Sequence, residues 1–188
     1  MNLTRLVFKN ISDIVGSDMC IIVLTDKTEE RQISIVCDDH TRYQFALRMS
    51  GAPVVNKLLP EVLLRFMHPE DDGLRVIIHS VTDGQYNAVL CNENTNQSAS
   101  IRISDAVLLS FISDVPLYVE NELYRRQSVP YCSGRQGLSI PINTISNAML
   151  QDALDKAIQS ENYELASQIR NEQQRRQQSN QSSQTEIQ

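Results

Sequence analysis

The chain contains, at residues 74–90, the stretch Leu-Arg-Val-Ile-Ile-His-Ser-Val-Thr-Asp-Gly-Gln-Tyr-Asn-Ala-Val-Leu. Two runs rich in β-prone apolar residues flank the pair Asp83-Gly84 in this stretch. An Asp-Gly pair between such runs is the strongest short-range signal for a two-residue hairpin turn. The stretch therefore predicts two neighbouring strands and places a β-sheet at the centre of the fold.

Four more runs are typical of strands, at residues 3–8, 20–24, 33–37 and 98–102. The polar residues 25–29 separate the second of these runs from the third and are good turn material, which indicates another hairpin. Residues 116–119 form a last short apolar segment.

Three helices are predicted between these strands. The first begins near Asp38-Asp39, whose carboxylates suit a helix N-terminus, and ends at Gly51. The second spans residues 54–66 with Pro60 in its first turn, and the third is capped by Ser104-Asp105 and runs through residue 112. Residues 1–126 are therefore predicted to form an α+β domain, a mixed or antiparallel sheet with three packed helices.

The composition changes after this domain. Residues 127–146 are rich in Ser, Pro and Gly and predict a linker. Residues 147–177 carry two apolar stripes at helical spacing on either side of a polar turn, which predicts a C-terminal helical hairpin. Residues 178–188 are almost entirely polar and are predicted to be a disordered tail.

Composition excludes several classes of protein. No apolar run approaches 18 residues and no secretory signal is visible, so we expect no membrane contact and a cytoplasmic location. The formal net charge of −6 argues against general binding to nucleic acid, so any such contact must be local. The four cysteines are widely spaced, and neither a zinc site nor a disulfide framework is predicted.

The order and spacing of several segments resemble the bifunctional nuclease family over roughly residues 3–125. The most specific likeness is Arg102-Ile103-Ser104-Asp105-Ala106, followed by the apolar helix and then by Val-Pro-Leu-Tyr-Val at residues 115–119. This chain departs from the family pattern at Thr41-Arg42 and near Lys57, where the family carries ionisable groups. The resemblance implies a nuclease that acts on DNA or RNA, a bacterial source and a homodimer.

The C-terminal hairpin resembles the UVR motif of the UvrB and UvrC repair proteins. The likeness is carried by Glu-Asn-Tyr-Glu-Leu-Ala at residues 161–166 and by Ile169-Arg170. It implies docking of the hairpin against helices of a protein partner. The residues expected to bind that partner are Leu154, Ile158, Tyr163, Leu165 and Ile169. The alternative is that this apolar stripe packs on the first domain.

Phosphodiester hydrolysis requires an activated water and charge stabilisation, which proteins commonly obtain from Mg²⁺ or Mn²⁺ held by one or two carboxylates. The candidate metal ligands are Asp105, Asp38 and Asp39. Asp105 is also a candidate catalytic residue, with Arg102 and Ser104 as phosphate-binding groups and His40 as a general base. Arg42 and Lys57 are the candidate substrate-binding cations.

A simpler interpretation explains the same residues. Ser104 or Asp105 would cap a helix while Arg102 pairs with a nearby carboxylate, and Asp38-Asp39 would only complement a helix dipole. The protein would then be a noncatalytic dimeric scaffold or regulator that recruits its partner through the hairpin.

Overall fold

The computed structural model describes residues 2–14, 18–67, 73–131, 144–145 and 147–185. The chain divides into two compact units, residues 1–80 with 86–139 and residues 81–85 with 140–188. Within the described residues, no helix is long and apolar enough to cross a membrane.

Eight strands form one sheet in the order β6-β5-β4-β7-β1-β2-β3-β8. Their bounds are β1 Leu3–Asp13, β2 Met19–Asp26, β3 Arg31–Asp38, β4 Leu74–Thr82, β5 Gln85–Asn92, β6 Gln97–Arg102, β7 Leu117–Glu120 and β8 Val129–Pro130. The six predicted strands are all present, and the hairpin turn at Asp83-Gly84 has both residues at positive φ, as a type I′ turn requires.

The last short apolar segment of the domain becomes a central strand. β7 pairs antiparallel with β1 and parallel with β4, so the sheet is mixed. Leu117 and Val119 in this strand are fully buried, because neighbours cover them on both edges and on one face. A four-residue strand suffices at this position because burial, and not length, stabilises it.

The helices are α1 Asp39–Met49, α2 Leu59–Leu64, α3 Ile103–Ser113, α4 Asn121–Gln127, α5 Asn147–Gln159 and α6 Tyr163–Thr185, with a 3-10 turn at Pro53–Lys57. The α+β class with a C-terminal helical hairpin is confirmed. α1 begins and ends where predicted, with Asp38 as its N-cap and Gly51 at φ +67° after its last turn.

Two helical predictions differ from the structure. The single helix expected over residues 54–66 is two pieces, because Leu58 is extended between the 3-10 turn and α2. Pro60 lies in the first turn of α2, where its missing N–H costs nothing. The domain also contains α4, a fourth helix of seven residues that has no side-chain cap and gives no strong signal in the sequence.

The predicted linker starts five residues too early, because Gln127 is the last residue of α4 and residues 128–131 contact the sheet. β8 pairs with β3, the Arg31 Nε donates to Ser128 Oγ at 2.7 Å, and the Tyr131 N–H donates to the Glu30 carbonyl. β8 and its two flanking residues therefore contact the sheet, although their Ser, Val, Pro and Tyr residues give no local strand signal. Of the rest of the predicted linker, residues 132–143 and 146 lie outside the described residues.

Three phenylalanine rings pack α1 and α3 against the sheet. Phe8 of β1 stacks on Phe45 of α1 at 5.0 Å between ring centroids, and Phe111 of α3 lies 5.1 Å from Phe8 and 5.5 Å from Phe45. Because both helices rest on one aromatic cluster, they lie side by side on the same face of the sheet.

In the second unit, α5 and α6 pack on each other around a small core of their own. Its buried residues are Leu150, Leu154, Ala157, Ala166 and Ile169, and Leu165 packs against them. α6 continues as a helix to Thr185, so the tail predicted to be disordered from residue 178 is helical over its first eight residues. Residues 186–188 lie outside the described residues.

Candidate functional site

A cleft of about 250 Å³ opens between the first turns of α1 and α3 and the start of α2. Both helices follow directly on a strand, since β3 leads into α1 and β6 leads into α3. The cleft is lined by His40, Thr41, Gln44, Phe45, Pro60, Arg102, Ser104, Asp105 and Leu108. The structure thus brings together the four predicted catalytic residues, which come from two segments more than 60 positions apart.

Asp38 organises the α1 side of this site. Its Oδ1 accepts two hydrogen bonds from Thr41, from the backbone N–H at 2.8 Å and from the hydroxyl at 2.7 Å. These two bonds hold the pKa of the Asp38 carboxyl below its ordinary value, because they stabilise the ionised form. Its other oxygen, Oδ2, faces Arg102 at 3.3 Å from Nη2.

Arg102 lies between two carboxylates, one from each helix. Its Nη2 approaches Asp38 as described, and its Nε lies 3.9 Å from Asp105 Oδ2. All three side chains are at least half exposed to solvent, so these ion pairs are loose and can be rearranged at little cost. The Arg102 guanidinium therefore remains accessible to an anionic ligand.

Ser104 and Asp105 do not cap α3. The helix begins at Ile103 with Arg102 as its N-cap residue, and no side chain accepts a hydrogen bond from its first turn. The capping part of the simpler interpretation is therefore wrong, although Arg102 does pair with carboxylates as that interpretation expected. Ser104 is buried at the cleft, and its hydroxyl makes no hydrogen bond to any other described residue.

His40 lies in the first turn of α1 and is exposed at the cleft. Its Nε2 is 3.5 Å from the amide nitrogen of Gln44, one helical turn on. The imidazole ring therefore has a long contact with Gln44, which lies on the same side of α1.

Four predicted residues do not line this cleft, and one of them, Asp38, contacts it only through Arg102. Asp39 is engaged by an ion pair with Arg42, and Arg42 Nε also lies 3.3 Å from Asp13 Oδ1 on β1. Asp38 is the extended N-cap residue and Asp39 is the first residue of the helix, and the two side chains have different partners. Lys57 is exposed on the 3-10 turn and does not line the cleft.

Five residues that line the cleft were not predicted as site residues, which are Thr41, Gln44, Phe45, Pro60 and Leu108. Thr41 departs from the family pattern, but it donates to the N-cap residue Asp38 three positions before it. Gln44 follows one turn after His40. Pro60 arrives only through tertiary packing, since Arg48 of α1 binds Glu61 of α2 bidentately at 2.6 and 3.0 Å.

Two carboxylates reach Arg102 at this site. No group of three or more His, Cys, Asp or Glu side chains within the described ranges is arranged to hold a metal ion. Mg²⁺ commonly binds one or two carboxylates and completes its shell with water and substrate phosphate oxygens. Asp38 and Asp105 fit that partial ligand set, with Arg102 between them.

The cysteines nearest the site are inert. Cys20 and Cys37 lie opposite each other in the register of β2 and β3, and both are free and buried. Burial raises the pKa of Cys20 to about 11 and that of Cys37 to about 12, so both thiols are protonated at neutral pH. Both side chains fill the sheet as small apolar groups.

The family model of the bifunctional nuclease domain matches residues 22–131. The match covers more than half of the 188 residues and includes every residue of the cleft. The chain therefore belongs to the bifunctional nuclease domain family. The matched region ends where β8 ends and does not include α5 or α6. No curated protein matches the chain.

Proposed function

We propose that this protein is a nuclease that hydrolyses phosphodiester bonds of DNA or RNA at the cleft between α1 and α3, assisted by Mg²⁺ or Mn²⁺. The observation that carries the proposal is the convergence of Arg102, Ser104, Asp105 and His40 at one cleft. Membership of the bifunctional nuclease domain family supports the same class of substrate.

The α3 side of the cleft suits a phosphate group. The first N–H groups of a helix lack partners within the helix and attract anions, and α3 has no side-chain cap to satisfy them. Arg102 would pair with the phosphate oxygens and Ser104 would donate its hydroxyl to them. The chain is acidic overall, so this local arrangement would have to supply the attraction for nucleic acid.

Asp38 and Asp105 are the residues that would hold the metal ion. A divalent cation bound there supplies charge stabilisation for the phosphate and lowers the pKa of a bound water. The hydrogen bonds from Thr41 keep Asp38 ionised, which a metal ligand requires. His40 would accept the proton of the attacking water, since its imidazole is exposed at the same cleft.

The test is cleavage of end-labelled single- and double-stranded DNA and RNA in Mg²⁺, Mn²⁺ or EDTA. The variants Arg102→Gln and Asp105→Asn should each lose at least tenfold in rate. Matched controls outside the cleft are Arg125→Gln on α4 and Asp152→Asn on α5, both exposed, and both should keep the native rate. Absence of metal-dependent cleavage by the native chain, or equal losses in the controls, would overturn the proposal.

Metal binding can be measured separately from catalysis. Titration calorimetry with Mn²⁺ should show binding to the native chain that weakens at least tenfold in Asp38→Asn and Asp105→Asn. Asp39→Asn should leave the affinity unchanged, because Asp39 is paired with Arg42. Equal weakening by Asp39→Asn would move the metal away from the cleft.

A second candidate function is a noncatalytic scaffold that recruits a protein partner through its UVR-like hairpin. In the structure Leu154, Leu165 and Ile169 are used by the hairpin's own core, whereas Ile158 and Tyr163 are exposed around the turn between α5 and α6. These two side chains favour a partner that docks on that turn. A pull-down that loses its partner with Tyr163→Ser and keeps it with Tyr43→Ser, in a chain without nuclease activity, would support this function.

A further inference from the structure

A second cavity lies in the first unit at the C-terminal end of α3, whereas the cleft lies at its N-terminal end. The cavity has a volume of about 220 Å³ and forms where the loop between α3 and β7 meets β4, β7 and the end of β5. Its walls include Leu74, Arg75, Glu93, Asp114, Pro116 and Tyr118. None of these residues lines the cleft, so the cavity is a separate site.

Arg75 supplies the positive charge of this cavity. Its Nη1 lies 2.5 Å from Glu93 Oε1, which fixes one end of the guanidinium. Its Nε is buried and has no hydrogen-bond acceptor among the described residues. A buried donor without an acceptor is unfavourable, and such a group in a native protein calls for a partner from outside the chain. Arg75 therefore offers a donor to an acceptor atom of a bound molecule.

Asp114 supplies the opposite kind of group. It ends α3 with a left-handed backbone, at φ 58°, and its side chain is exposed at the cavity. Its carboxylate has no hydrogen bond or ion pair with any other described residue. The two oxygens of an ionised carboxylate accept hydrogen bonds and donate none. Asp114 therefore suits a ligand that carries two neighbouring donors.

Tyr118 gives the cavity a flat apolar wall. It lies opposite Ile77 in the parallel register of β4 and β7, so it shares a face of the sheet with Ile77 and with Arg75, two residues earlier. Its side chain is partly exposed, and Pro116 lies close by on the same wall. A tyrosine ring is a surface on which planar rings stack. The cavity thus combines a stacking surface with one donor group and one acceptor group.

We propose that this cavity binds a guanine base. Guanine presents the acceptors O6 and N7, which arginine recognises, and the donors N1–H and the 2-amino group, which match a carboxylate. Arg75 would donate to the acceptor edge, Asp114 would accept from the donor edge, and Tyr118 would stack on the ring. A simple anion would be repelled by Glu93 and Asp114, and a simple cation would leave the Nε of Arg75 without an acceptor.

The base has two sources, a free nucleotide or a nucleic acid strand. Ser104 at the cleft and Ser113 at the cavity are nine residues apart on α3, which is about 14 Å along the helix axis. A strand whose guanine fills the cavity would therefore place a phosphate at the cleft a few nucleotides away. This second source rests on the proposed function, whereas the guanine site itself does not.

The experiment is titration calorimetry of the full chain, in EDTA so that no metal-dependent cleavage occurs. The probes are guanosine, inosine and adenosine monophosphates, and the guanosine analogue with carbon in place of N7. All four carry the same phosphate, so differences in affinity report on the base. Guanosine monophosphate should bind about tenfold more tightly than each of the others, because each lacks a group that Arg75 or Asp114 would bind.

Two substitutions test the residues of the cavity. Arg75→Gln and Asp114→Asn should each weaken guanosine monophosphate about tenfold. Asn adopts a left-handed backbone as readily as Asp, so the second variant keeps the end of α3. The matched controls are Arg126→Gln on α4 and Asp83→Asn, an exposed aspartate at φ 51° outside the cavity. Both controls should keep the native affinity.

A single-stranded oligonucleotide with one guanine separates the two sources. Tighter binding of the oligonucleotide than of the mononucleotide would assign the cavity to nucleic acid, and the reverse would assign it to a free nucleotide. The inference is overturned if guanosine monophosphate does not bind, if adenosine monophosphate binds equally well, or if the controls weaken binding as much as the cavity variants. A chain that shows this base preference but cleaves no nucleic acid would support the guanine site and reject only the proposed nuclease.

Discussion

The Asp38 side chain has two roles, because it caps the N-terminus of α1 and also contacts Arg102 of the candidate site. One carboxylate oxygen receives both hydrogen bonds from Thr41 and caps α1, and the other faces Arg102. Thr41 is buried, so its hydroxyl has little access to water as an alternative partner. The Thr41 side chain therefore positions Asp38 and keeps its second oxygen turned toward Arg102.

Replacing Thr41 with Val tests this arrangement. Thr41→Val removes the hydroxyl donor to Asp38 and should lower the free energy of unfolding by about 1 kcal/mol, the usual value of such a bond. The control is Thr25→Val, because Thr25 is also buried but its hydroxyl has no partner among the described residues. Urea unfolding should show the control unchanged or slightly stabilised. Equal losses in both variants would show that the Thr41 hydroxyl has no special role.

The lowered pKa of Asp38 predicts a dependence of stability on pH. Because Thr41 holds this pKa below its ordinary 3.8, the ionised carboxyl stabilises the folded state fully above about pH 5. That contribution is lost as the pH falls through 3.8 and then through the lowered native value.

Asp38→Asn isolates this effect, because Asn still caps a helix and does not titrate. The difference in unfolding free energy between the native chain and Asp38→Asn should be largest at pH 6 and should shrink toward pH 3. Thermal unfolding across this range measures it. A difference that stays constant with pH would show that the carboxyl charge does not contribute.

In the C-terminal hairpin, an arginine of α6 connects this helix to the start of α5. Arg176 of α6 binds Glu172 at 2.8 Å and donates to the Ile145 carbonyl and to Asn147 Oδ1 at the start of α5. Its side chain is only 3% exposed, whereas the adjacent Arg175 binds the same Glu172 with 61% exposure. Glu172 therefore forms one ion pair with a buried arginine, Arg176, and one with an exposed arginine, Arg175.

Arg176→Met should destabilise the hairpin by about 3 kcal/mol, because it leaves the Glu172 carboxylate partly buried with one cation fewer and frees the start of α5. Arg175→Met should cost less than about 1 kcal/mol. Hydrogen exchange of the α5 and α6 amides reports on this unit directly. Equal protection in both variants would show that the buried contacts of Arg176 do not hold the hairpin.

Some helices and strands could be predicted from short windows of sequence. Caps, turns and β-rich runs act over about four residues, and the structure confirms α1, the Asp83-Gly84 hairpin and the six predicted strands. α4 and β8 were missed because neither carries a local signal; both are stabilised by contacts with distant strands. The break at Leu58 falls just before α2, which carries Pro60 in its first turn, whereas the ion pair that joins α2 to α1 forms between Arg48 and Glu61, 13 positions apart.

For the whole molecule, β8 is an integral part of the first unit. Ser128 is buried and receives Arg31 through its hydroxyl and its carbonyl, and Val129 and Pro130 pair with β3. The matched region of the family ends at the same place, at Tyr131. Residues 128–131 therefore belong to the first unit.

A fragment of residues 1–131 should be more stable than a fragment of residues 1–127 by about 2 kcal/mol, the value of two hydrogen bonds to a partly buried Arg31. Thermal and urea unfolding of the two fragments give the comparison. Arg31→Met should destabilise the longer fragment and have little effect on the shorter one, which already lacks Ser128. Equal stability of the two fragments would place the boundary before β8.

The sequence by itself determined the α+β class, the C-terminal hairpin and four residues of the cleft, His40, Arg102, Ser104 and Asp105. These features follow from local hydrogen bonding, apolar periodicity and a distinctive run at residues 102–106. Tertiary structure alone decided that β7 lies between β1 and β4, that Arg42 pairs with Asp13, and that Pro60 lines the cleft. Each of these outcomes depends on packing between residues that are far apart in the chain. Such packing is determined by side-chain direction and burial, and local secondary-structure propensity does not determine it.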